Sequence, residues 1–88
     1  MSEEIQPIGA VTHYFGKIGV AVVSLEGSIA LGDWVQFYGN STDFVQQVES
    51  MQVDHQPIEA AGPGDEVAML VSDKVRKGDW MYPYYPEE

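Results

Sequence analysis

Three times in 88 residues a Gly-Asp pair leads directly into a short apolar stretch. Gly32-Asp33 precedes Trp34-Val35, Gly64-Asp65 precedes Glu66 and the run 67–71, and Gly78-Asp79 precedes Trp80-Met81. Glycine admits positive φ, and an aspartate side chain bonds back to nearby backbone amides. Both are turn chemistry, and a chain punctuated this way builds strands joined by tight turns. The run 67–71, continuous, β-branched and bounded by polar residues, reads as a strand buried on both faces. The intervening sequences do not match, so the Gly-Asp pairs are a shared way of starting a strand and not an internal repeat.

The remaining strands follow from alternation. Residues 8–14 form the first, with Ile8, Ala10 and Thr12 opposite Val11. Phe15-Gly16-Lys17 connects it to 18–25, where Val20 and Val22 face one way and Ala21, Val23 and Leu25 the other. Residues 34–38 set Trp34, Gln36 and Tyr38 opposite Val35 and Phe37. The segment 39–43 reads as a mobile loop. Residues 44–54 read as one long strand whose parity slips, which a bulge near Glu49-Ser50 would correct. Pro57 to Gly62 suits a single helical turn. The last strand is 80–84, and Pro83 and Pro86 place it at an edge or in a tail. The expected architecture is all-β, a single small antiparallel barrel over 7–84. Residues 1–6 are expected to be a flexible N-terminus and 85–88 a C-terminal tail.

Charge restricts the function classes. Fourteen acids face four bases, a formal charge of −10. Nucleic-acid affinity rests mainly on phosphate neutralisation by Lys and Arg, so general nucleic-acid binding is not expected. With no cysteine, a disulfide framework, a thiolate metal site and a thiol nucleophile are all excluded. The acidic start lacks the apolar core of a secretion signal, and no stretch approaches the roughly 20 apolar residues of a membrane helix. These features fit a cytoplasmic protein that does not enter a membrane.

Candidate contact residues fall into three groups. His13, Tyr14, Phe15 and Lys17 sit at a hairpin tip, where they could stack on a base or grip a peptide, or simply cap one end of the barrel. Lys74, Arg76 and Lys77 form the one basic patch, either an anion contact or a solvated turn. Trp80, Tyr82, Tyr84 and Tyr85 form the densest aromatic stretch, split between core closure and an interface. Asp54-His55 with Asp65 and Glu66 lacks metal-ligand spacing, and no nucleophile motif surrounds Ser24, Ser28, Ser50 or Ser72. Neither catalysis nor a metal or cofactor is expected.

The ordered set Ile8-Gly9-Ala10-Val11, Gly19-Val20-Ala21-Val22-Val23, Gly32-Asp33, Val48-Glu49-Ser50-Met51, Ala60-Ala61-Gly62-Pro63-Gly64-Asp65-Glu66-Val67 and Gly78-Asp79 resembles the second domain of translational GTPases such as elongation factor Tu. It is similar, more closely, to free-standing elongation-factor-like proteins, and to a domain at the C-terminus of some collagenase-like peptidases. The resemblance spans about residues 7–84. It implies a six- or seven-stranded Greek-key barrel acting as a binding module toward a protein or ribonucleoprotein, the ribosome included. The peptidase likeness implies instead an accessory subunit of an enzyme. The chain has no Gly-x-x-x-x-Gly-Lys-Ser/Thr, so no GTPase is expected in it.

Overall fold

The computed structural model describes residues 6–86. Most of the expected N-terminal segment and the last two tail residues therefore lie outside the described residues. Ten strands follow in order: β1 (Gly9–Phe15), β2 (Val20–Leu25), β3 (Ile29–Ala30), β4 (Trp34–Gly39), β5 (Thr42–Gln47), β6 (Met51–Val53), β7 (Gln56–Pro57), β8 (Ala60–Ala61), β9 (Glu66–Leu70) and β10 (Trp80–Pro83). Eight of them make one sheet in the order β5-β4-β10-β1-β2-β9-β6-β7, and β3 pairs with β8 in a second. Every pairing is antiparallel. The all-β expectation holds.

The three Gly-Asp pairs turn out to be one device. Gly32, Gly64 and Gly78 have φ of 92°, 92° and 96°, the backbone that the third residue of a type II turn requires. The aspartate N–H donates to the carbonyl three residues back, on Ala30, Gly62 and Arg76, at 3.0–3.1 Å. Its Oδ2 accepts the N–H of that same residue at 2.9–3.0 Å. Each turn is thus closed by two antiparallel bonds, like a one-rung ladder, and the strand leaves in a set direction. Substituting Asp65 by alanine removes one bond of one clamp; thermal unfolding should show a loss of about 1 kcal/mol.

The inner face of the sheet holds the core, which includes Val11, Val23, Phe37, Met51, Met69 and Met81. Cross-strand partners share a face, and the register puts Phe37 against Phe44, with ring centroids 5.3 Å apart.

Several expectations need correction. The sheet is not a closed barrel, because β5 and β7 remain as its two edges. A seam lies instead between β5 and the end of β9, and the buried side chain of Gln46 spans it: its Nε2 donates to the Leu70 carbonyl at 2.9 Å, and its Oε1 accepts from the Ser72 N–H at 2.7 Å. The long strand 44–54 is two strands, since Val48 leaves the ladder to exchange backbone bonds with Gly32 and Asp33. That break does the work expected of a bulge: Val48 and Met51 are both buried. The segment 39–43 is a tight two-residue hairpin with Thr42 buried. Residues 57–62 form no helical turn, because Pro57 pairs opposite Gln52 and Ala60-Ala61 pair with Ile29-Ala30. The last strand is interior, between β4 and β1. Pro83 is tolerated there because it ends the strand, where one missing N–H costs little. Finally, 67–71 is not covered on both sides: Val67 and Met69 are buried, while Leu70 is exposed. An antiparallel sheet can leave one face to solvent, and this one does.

Candidate functional site: two outer faces of the sheet

The outer face divides into two regions. The first lies on β4 and β10. Their register places Tyr38 opposite Trp80 and Gln36 opposite Tyr82. The Tyr84 N–H donates to the Trp34 carbonyl at 3.0 Å, which carries the pairing one residue past the strand. Three outward rungs result, and five of their six side chains are aromatic. Trp34, Tyr38, Trp80 and Tyr84 are 38–50% exposed. The exception, Gln36, is held by its Nε2 donating to Asp43 Oδ1 at 2.8 Å. Along a strand such rings recur every ~7 Å, and across the rung the strands stand ~5 Å apart. The surface is therefore a two-column aromatic ladder on rigid strands.

Its origin is local. Trp34, Gln36 and Tyr38 share one parity, as do Trp80, Tyr82 and Tyr84. The buried Val35, Phe37 and Met81 on the other parity turn both sets outward. Tyr84 and the more exposed Tyr85 also border a cleft shared with Trp34, Pro83 and Asp33. The two readings of the 80–85 aromatics are thus separated: Met81 closes the core, and the aromatics stay outside it.

The second region lies where β1, β2, β9 and β6 meet. Past an irregularity between Val11 and His13, the partners are His13 with Val22 and Phe15 with Val20. Val22 then stands beside Ala68, and Val20 beside Leu70. The His13 and Phe15 rings stack with centroids 6.2 Å apart and planes 5° apart. Phe15, Ile18, Val20, Val22 and Ala68 give a cleft of about 470 Å³ an apolar lining, and Asp54, His55 and Glu66 border it. Ile18, at 66% exposure, stands almost free of the fold.

The other nominated residues are placed as follows. Tyr14 is half-buried and packs against the core. Lys17 is exposed in the 16–19 turn. Lys74, Arg76 and Lys77 are exposed around a buried Val75, which plugs the core. The backbone there is held by the Asp79 clamp, and Lys74 and Arg76 share a cleft with Asp43 and Asp73. The backbone of the turn is thus shaped by a structural anchor. The three groups do not form one site: His13 and Phe15 belong to the cleft, Trp80, Tyr82 and Tyr84 to the ladder, and the basic turn to neither. Trp34, Tyr38, Ile18 and Leu70 were not nominated from the sequence. Alternation marks Trp34 and Tyr38 as a pair, but only strand pairing sets them beside Trp80 and Tyr84. Among the described residues, no cluster of three His, Asp or Glu could hold a metal ion. No helix among them is long and apolar enough to cross a membrane.

No family model matches the chain. Its similarities are to peptidases. It is 34% identical over 76 residues to the Methanocaldococcus jannaschii protease MJ0090, described as uncharacterized, covering 85% of this chain and 19% of that protein. It is 31% identical over 83 residues to a collagenase of Porphyromonas gingivalis, covering 92% of this chain and 23% of the relative. The chain thus spans about a fifth of the length of these relatives. Among solved structures, it is similar to the C-terminal domain of a Geobacillus thermoleovorans protein described as a U32 peptidase. The TM-score is 0.84 at 25% identity, covering 89% of this chain and 91% of that one. A selenomethionine variant of that domain gives 0.83 at the same identity, covering 98% of its chain.

The likeness to the C-terminal domain of collagenase-like peptidases is therefore upheld. The likeness to elongation factor Tu and to elongation-factor-like proteins is not: these relatives and structures point to peptidase C-terminal domains, and they leave a translation role without support. Strand-by-strand Gly-Asp and Val patterns are common to small antiparallel folds, so sequence order carried the fold class further than the function.

Proposed function

We propose that the chain is the accessory module of a collagenase-like peptidase: a non-catalytic domain that binds a polypeptide through the β4–β10 aromatic ladder. The observation that carries this reading is the ladder itself. Four exposed rings, Trp34, Tyr38, Trp80 and Tyr84, and the half-buried Tyr82 point outward from the paired β4 and β10, where the core does not enclose them. Tyr and Trp are the side chains that most often anchor protein contacts. Stacked rings also suit the bases of a nucleic acid, but a net charge of −10 opposes the phosphates that would come with them. The similarity to peptidases favours a polypeptide as the partner, either the substrate or the catalytic domain.

The test uses the purified chain and a collagenase-like peptidase from the same source, mixed and followed by titration calorimetry. The double variant Trp34→Ser, Tyr84→Ser should weaken association by about thirtyfold or more, since a single hot-spot aromatic commonly contributes about 2 kcal/mol or more. Its thermal midpoint should stay near that of the parent. Unchanged affinity rejects the ladder, and unfolding of the variant assigns the rings to the core. Peptide hydrolysis by the chain alone rejects the accessory role.

A further inference from the structure

We infer that the cleft between Phe15 and His55 is a second binding site, built to take an arginine side chain of an extended peptide. Three observations meet there. The floor of Val20, Val22 and Ala68 is apolar and lies open on the outer face. The bordering ionisable groups include two carboxylates, Asp54 and Glu66, and neither Lys nor Arg. The turn that carries Asp54 and His55 is strained.

That strain is specific. β6 and β7 are joined by these two residues, with Val53 opposite Gln56. Both have positive φ, 51° at Asp54 and 66° at His55. A two-residue hairpin of this kind favours Asn-Gly or Asp-Gly. Histidine in the second place is the costlier choice, and it puts a ring on the cleft wall where glycine would leave a gap. Local strain of this sort collects at binding sites.

The chemistry selects the occupant. An arginine stem of three methylenes can lie along the valine floor while its head stays at the polar edge. The planar guanidinium can face the carboxylates of Glu66 and Asp54 and stack on the exposed ring of Phe15. Glu66 Oε2 already accepts from Thr12 Oγ1, although at a long 3.5 Å, so it has capacity for a stronger donor. A second copy of this chain fits poorly, because each copy brings ten further negative charges, and like charge opposes association.

The probe is a fluorescein-labelled hexapeptide of alternating leucine and arginine, with a twin in which citrulline replaces arginine and keeps its shape without its charge. Fluorescence anisotropy should show saturable binding of the arginine peptide and at least about fivefold weaker binding of the twin, the scale of one charge-assisted contact. Glu66→Gln should weaken the arginine peptide similarly. Asp73→Asn, which removes the same charge away from the cleft, should not. His55→Gly should separate the two roles of the turn: the melting temperature rises by roughly 3–6 °C as strain is relieved, and affinity falls. No saturable binding, equal affinity for both peptides, or equal weakening by Asp73→Asn overturns the assignment. The ladder variant Trp34→Ser, Tyr84→Ser is the second control. Loss of peptide binding in it would move the peptide to the ladder; retained binding with lost peptidase association would leave this site standing and separate it from the proposed accessory role.

Discussion

Gln46→Ala is expected to lower stability by about 2–3 kcal/mol, because one side chain carries both bonds across the sheet's seam. The Leu70 carbonyl accepts from its Nε2 at 2.9 Å and the Ser72 N–H donates to its Oε1 at 2.7 Å, and alanine leaves both without that partner. The lost Cγ methylene and amide carbon add a packing deficit beneath them. For a domain of this size, the loss corresponds to a fall of roughly 10–20 °C in melting temperature. Urea denaturation gives the free energy, and amide exchange at Ser72 reports the seam directly. A loss under about 0.5 kcal/mol, the scatter of an ordinary surface substitution, would mean that the seam is held by the core alone.

Gln46 also marks where sequence reasoning stops. The polar residue sits on the buried parity of β5, between Phe44 and Val48, and nothing within its own strand explains it. Its partners lie 24 and 26 residues further on. From the sequence, a barrel is the natural expectation for strands of this number and spacing. Whether β5 meets the end of β9 through a ladder or through one side chain depends on long-range register, which alternation does not encode. The Gly-Asp turns were legible for the opposite reason. Each is complete within four residues, so composition and conformation coincide.

The same distinction governs the two outer faces. Trp34, Gln36 and Tyr38 were correctly set opposite Val35 and Phe37, so the outward direction of β4 was in the sequence. The aromatic ladder was not, because it exists only once β10 pairs with β4, and prolines near the end of the chain argued for an edge. Pro83 is the last residue of its strand, a position where a missing donor breaks no ladder. Run 67–71 misled differently. Its continuous apolarity suggested burial on both faces, whereas Ala68 and Leu70 belong to an exposed apolar region beside Val20 and Val22. In a chain whose core needs only one face of the sheet, apolar residues on the other face are surplus to folding. Surplus of that kind marks interaction surfaces.

Gly39→Ala is expected to be the other severe substitution, at about 3 kcal/mol, and its cause is steric. Gly39 ends β4 without positive φ, so alanine can adopt its backbone. A methyl there would overlap Asp79 Oδ1 and stand 2.6 Å from its Cγ. Asp79 cannot simply move aside. It is buried, its N–H donates to the Arg76 carbonyl, and its Oδ2 accepts the Arg76 N–H at 2.9 Å. Shifting it would open the turn that launches β10 and lift Val75 from the core. The double variant Gly39→Ala, Asp79→Ala isolates this mechanism. With the carboxylate gone, the nearest atom to the new methyl would be the Cβ of residue 79 at 3.3 Å. The double variant should then be about as stable as Asp79→Ala alone, which loses the clamp bond but no more, for a coupling energy of roughly 2 kcal/mol between the sites. Additive losses in thermal unfolding would show instead that Gly39 is needed for a reason other than the side chain lodged against it.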